Sequence, residues 1–178
     1  MRRVLWPVAA LAAFIFLVAL ALTGGRGGPG LALFTPKGLM TIPLAEVDAV
    51  DVESGGRRAR FVRTAEGWHA NDAAASTALA TELDTALTLL RNSGPERVLS
   101  ETEIQEADPS QFGLDPPRTR VIVHGKGEAR FAISFGATNV LGLAHFAKVG
   151  GRNEIALLPG FVAEEWERVG KAPVGKAP

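Results

Sequence analysis

The chain contains no cysteine. That single absence removes disulfide staples, thiol nucleophiles, iron–sulfur clusters and cysteine-type zinc sites. Any core must hold by packing alone, and the composition is compatible with an oxidising compartment. Charge of one sign is also lacking: 19 Lys and Arg stand against 19 Asp and Glu. The balance is uneven along the chain. Arg2, Arg3 and Arg26 lie in the first thirty residues, which hold no acid, so the remainder carries 16 basic and 19 acidic side chains. A mildly acidic domain makes a poor phosphate-backbone binder, so no nucleic-acid partner is expected.

Catalytic signatures are missing as well. No G-x-S-x-G elbow and no Ser-x-x-Lys occurs, and Gly125-Lys126-Gly127 reads as a hairpin turn, not a phosphate loop. The three histidines, His69, His124 and His145, are never in H-x-x-x-H spacing; strand histidines of this kind are more often satisfied or exposed than metal-ligating. Glu46, Asp48, Asp51 and Glu53 lack the glycine and terminal Glu of a calcium loop and read as the solvated face of a strand. The expectation is a protein without cofactor, metal site or catalytic residues.

The N-terminus carries the strongest signal. "MRRVLWPVAALAAFIFLVALALTGG" opens with two arginines and then runs uncharged from Val4 to Thr23. Twenty residues at helical rise span about 30 Å, the thickness of a bilayer core. The excess positive charge before the run puts the N-terminus in the cytoplasm and the body of the protein on the far side. A cleaved signal peptide is the alternative, because Ala19-Leu20-Ala21 fits the small-x-small cleavage pattern.

The chain divides into an anchor or signal peptide over residues 1–23, a Gly/Pro-rich tether over 24–44, an α+β domain over 45–169 and a flexible tail over 170–178. The spacer "GGRGGPG" contains G-x-G-x-x-G, but that fingerprint needs a preceding strand, and here an apolar run precedes it. Within the domain, "VDVE", "RRARFVRT" and "WHA" read as strands joined by turns at "SGG" and "EGW". Leu79, Leu83, Leu87 and Leu90, with Ala86 on the same face, predict an amphipathic helix over 74–91. The second half replays the order: "TRVIVHG", "ARFAISFG", "LAHFAKVG" and "EIALLPG", then a helix from Phe161 to Val169. The expected fold is α+β, with two antiparallel β-meanders each followed by a helix in a weak pseudo-repeat, plus one N-terminal transmembrane helix.

Between the halves lies "SETEIQEADPSQFGLDPPRTRVIV". Ser100 and Glu103 make a capping box, and Asp108 followed by Pro109 is a helix start. Gly113 supplies the left-handed residue that closes a single turn. Pro116 forces Asp115 towards extended geometry, and Pro117 continues it into the next strand. These residues read as punctuation, not as an acid–base pair.

The tract "FGLDPPRTRVIV", the strand ending in "SFG", "AHFAKVGGRNEIALLP", "VDAVDVE" and "RFVRTAEGWHA" together resemble the domain-of-unknown-function family 4340, over roughly residues 45–168. The resemblance implies a membrane-anchored extracytoplasmic protein of the bacterial inner membrane, of a kind often encoded beside ABC-transporter components of the gliding-motility type. It brings no catalytic residues, because its motifs are turn and core positions. Relatives are often longer and carry additional copies of the module.

The densest positive charge, Arg57, Arg58 and Arg60, offers a possible contact for a partner or an anion; Arg58 and Arg60 share one strand face and Arg63 takes the other. A hairpin charged to blunt an edge strand is the plainer account. Together these features lead to the expectation of a non-enzymatic single-pass membrane protein, an accessory or scaffold subunit of a membrane complex, plausibly an ABC-type transporter. Its partners would be integral-membrane subunits, with lipid around the N-terminal helix. The alternative is a membrane-tethered module binding a small anion, glycan or lipid.

Overall fold

A computed structural model describes Phe16, residues 37–71 and residues 73–173. The anchor expected over 1–23 and most of the tether lie outside these residues. Among the described residues, no helix is long and apolar enough to cross a membrane.

The described part is α+β, with one nine-stranded antiparallel sheet and three α-helices. Strands β1 (Ala49–Ser54), β2 (Arg57–Thr64), β3 (Gly67–Ala70) and β4 (Ala73–Ala74) form one run, followed by helix α1 (Thr77–Asn92). After β5 (Arg97–Leu99) and α2 (Glu101–Glu106) come β6 (Thr119–Gly125), β7 (Glu128–Thr138), β8 (Ala144–Val149) and β9 (Ile155–Pro159), then α3 (Gly160–Lys171). The sheet order is β4-β3-β2-β1-β6-β7-β8-β9-β5. The two strand runs anticipated from the sequence are thus joined edge to edge through β1 and β6, in a single sheet.

Alternation explains which face is covered. Val50 and Val52, Ala59 and Phe61, Val121 and Val123, and Ile133 and Phe135 point to one side. There they meet the leucine stripe of α1 and Val162, Trp166 and Val169 of α3. The helix stripe is the one read from the sequence: Leu79, Leu83, Ala86, Leu87 and Leu90 are its buried residues. The helix starts at Thr77 because the Ser76 hydroxyl accepts the Leu79 amide at 3.2 Å.

Two domain boundaries differ from expectation. Residues 37–44 belong to the fold, not to the tether. Met40 and Ile42 are buried in the core, and the amides of Gly38 and Met40 donate to the Arg91 and Leu90 carbonyls at the end of α1. At the other end, α3 continues to Lys171, and Gly170 is buried against Ser54, so the tail cannot begin at 170.

The linker between the two halves forms a second, smaller core on the opposite side of the sheet. Leu99, Phe112 and Ile155 are buried together, with Ile104, Leu114 and Phe146 packed around them. Phe112 meets Phe146 edge to face, with centroids 5.1 Å apart. This wrap covers the β8-β9-β5 end and reaches the β7 backbone at Gly136, and among the described residues it leaves the β2-β1-β6 part of that face open.

Candidate functional site

Ser100, Glu103, Asp108, Pro109 and Gly113 act as read. The Asp108 carboxylate accepts the Ser110 amide at 2.9 Å and opens the 3-10 turn Pro109–Phe112, which Gly113 closes at φ 58°. Ser100 and Glu103 form a reciprocal capping box on α2. The Ser110 amide holds the Asp108 carboxyl below the ordinary carboxylate range, and the Ser100 amide does the same for Glu103. Asp115 and Pro116 require a correction. They are joined by a cis peptide bond and form a tight turn bridged by Leu114 and Pro117, instead of extended chain. The glycine of "SFG" has a matching role. A Cβ on Gly136 would lie 2.0 Å from the Phe112 carbonyl oxygen, so the turn seats directly on the β7 backbone.

The open face is built by the pleat. With Val50 and Val52 turned to the helices, Asp51 and Glu53 of β1 must point away, as must Arg58 and Arg60 of β2 and Arg120, Ile122 and His124 of β6. Register sets them in rows: Arg58, Glu53 and Arg120 in one, Arg60, Asp51 and Ile122 in the next. A shallow concavity of about 480 Å³ lies over these rows, lined among others by Arg58, Arg60, Arg120, Glu53, Asp51 and Asn71.

Arg58 approaches Glu53 at 3.3 Å, and Arg60 approaches Asp51 at 3.2 Å. Arg58 and Glu53 are well exposed, 81 % and 43 %, so that pair is water-screened and readily exchanged for an outside partner, whereas Asp51 is half-buried and also held by His124. Arg120 is exposed and has no carboxylate partner among the described residues. His124 bonds Asp51 through Nε2 at 2.7 Å, behind the carboxylate. Asp51 lines the concavity and His124 does not, so the imidazole holds the carboxylate in place from outside the lining.

Arg57 does not join this cluster. It stands opposite Ser54 at the hairpin end, on the same pleat as Ala59 and Phe61, because β2 alternates from its first residue. Arg63 also turns to that side, 4.5 Å over the Trp68 ring and 2.8 Å from Asp84, which accepts the Trp68 indole N–H as well. Arg120 is the member that sequence reading missed. Its outward phase is legible in "TRVIVHG", but the pairing of β6 to β1 that brings it beside Glu53 is not.

The histidines take separate places. His69 and His124 share one register row, separated by β2 and β1, about 14 Å at ordinary strand spacing. His145 points to the helix-covered side, its Nδ1 3.3 Å from the Gly136 carbonyl oxygen. Among the described residues, no group of three His, Asp or Glu side chains could hold a metal ion.

Comparison with known protein families, curated proteins and solved structures finds no match to this chain.

Proposed function

We propose that this protein is a membrane-tethered, non-enzymatic docking module, an accessory or scaffold subunit of a membrane complex, with an extracytoplasmic domain that presents its open sheet face to an integral-membrane partner. The observation that carries this reading is the open β2-β1-β6 face: rows of Arg and carboxylate side chains, three arginines against two acids among the described residues, on a sheet with none of the described residues folded over them. Exposed, mixed-charge surfaces fix the register and rate of association more than they supply raw affinity. The uncharged run from Val4 to Thr23 supports the anchor, and the resemblance to family 4340 supports a transporter context.

A second reading follows from Arg120, which has no carboxylate partner among the described residues and lies with Arg58 and Arg60 around one concavity. There a small anion or an acidic glycan or lipid headgroup would be the ligand. One variant tests both readings. R58S/R60S/R120S changes only exposed side chains, so the fold remains intact while the surface loses its positive charge. Loss of a co-purifying membrane partner supports docking. Loss of an anion-induced rise in melting temperature supports the second reading, and no change in either measurement rejects both.

A further inference from the structure

The loop between β7 and β8 places its large apolar side chains in solvent. Val140 is 106 % exposed, Leu141 76 % and Leu143 67 %, and Phe161, at the start of α3, is 52 % exposed. The Leu143 carbonyl accepts the Gly160 amide at 2.8 Å, so loop and helix start form one tip. An exposure above the extended-chain reference means that Val140 stands clear of the fold. Isolated exposed apolar residues are ordinary, but four at one projecting corner are not.

Two further observations bear on what the tip meets. First, its backbone is satisfied in part. The Asn139 side-chain oxygen accepts from the Leu143 and Ala144 amides, and the Asn139 carbonyl accepts from Gly142. The Val140 and Leu141 amides and carbonyls and the Gly142 carbonyl have no partner among the described residues, which suits a shallow site at the water boundary and not a dry core. Second, no Lys, Arg, Asp or Glu occurs from Phe131 to Ala147; the nearest carboxylate on the helix side is Glu164, whose Oε1 lies 3.5 Å from a Cβ built on Gly160. A convex apolar tip of this kind requires a matching pocket in a protein partner, whereas a bilayer interface deforms around it and leaves a carboxylate one helical turn behind at the headgroup level.

We infer that Val140, Leu141, Leu143 and Phe161 form a second membrane contact, a tip that inserts into the interfacial region of the bilayer. The inference rests on the tethered reading above. A chain of thirteen residues, the length of segment 24–36, spans at most about 45 Å, and the eleven residues of β7 span about 36 Å. The reach is sufficient for the tip to meet the bilayer that holds the anchor.

The absence of native cysteine makes the test direct. The full chain, carrying L141C labelled with an environment-sensitive dye, is reconstituted in phosphatidylcholine–phosphatidylglycerol vesicles with and without a nitroxide-labelled lipid. L17C reports on the N-terminal run, and K126C on the turn at the opposite end of β7. The expected result is a blue shift and at least a roughly twofold quenching at Leu141 and Leu17, none at Lys126, and loss of the Leu141 signal in a V140S/L143S/F161S background. Quenching at Leu17 without quenching at Leu141 overturns the tip and keeps the anchor; no quenching at either overturns both. A Leu141 dye that lipid nitroxide never reaches, yet is shielded in native membranes, overturns the lipid assignment in favour of a protein partner.

Discussion

Gly136 shows how one residue type can be dictated by a contact far away in sequence. Its missing side chain lets the Phe112 carbonyl and Gly113 lie against β7, with Ala137 3.3 Å or closer to any Cβ built on Gly113. Gly136→Ala must push two backbones apart, and overpacking of this kind costs about 1–3 kcal/mol or more, read as a lower urea midpoint at unchanged slope. The capping carboxylates make a pH-dependent prediction. Because folding lowers the carboxyls of Glu103 and Asp108, their stabilisation is present above the ordinary carboxylate range and is lost as pH falls through the lowered folded values. An E103Q/D108N variant should therefore melt below the parent at pH 7, and the gap should close on acidification below the carboxylate range. A gap independent of pH would contradict the assignment.

At the scale of elements, α1 is held by its leucine stripe and its cap. Leu83 is fully buried among the central strands and α3, so Leu83→Ala should cost about 2–5 kcal/mol; Ser76→Ala removes one amide partner and costs about 1 kcal/mol. Both are readable by denaturant titration. These local features were legible in the sequence because they depend on spacing alone: the 3.6-residue leucine period, the Ser-x-x-Glu box and the Asp-Pro start. The pairing of β6 with β1 and the placement of β5 beside β9 at the far edge were not legible, since strand alternation gives the phase of a side chain but not its neighbour. For that reason alternation puts Arg58 and Arg60 on one strand face, but gives neither Arg120 as their neighbour nor the place of Arg57 at the hairpin end, away from that face. The tether boundary erred for a related reason. "GLMTIP" has no clear period, and the burial of Met40 and Ile42 depends on backbone bonds to the end of α1.

At the scale of the molecule, the described domain is a one-sided sheet. Helices cover one face, a short wrap covers one end of the other, and the remaining open area carries exchangeable charge rows, while a separate apolar tip projects from the β7–β8 turn. In the proposed reading the anchor and tip hold the domain at the bilayer, and the charged face engages a neighbouring subunit. Binding through exposed charge predicts salt sensitivity: raising ionic strength from about 0.1 to 1 M shortens the Debye length from about 10 to 3 Å and should release the partner from the parent protein. The most direct measurement is affinity purification of the full-length, C-terminally tagged protein from gently solubilised native membranes, with the parent and R58S/R60S/R120S compared side by side by quantitative mass spectrometry. The account predicts a stoichiometric integral-membrane protein with the parent, depleted at least about tenfold with the variant, while the two proteins melt alike; tenfold corresponds to about 1.4 kcal/mol. A parent protein recovered alone, or a variant that keeps its partner in full, would contradict it.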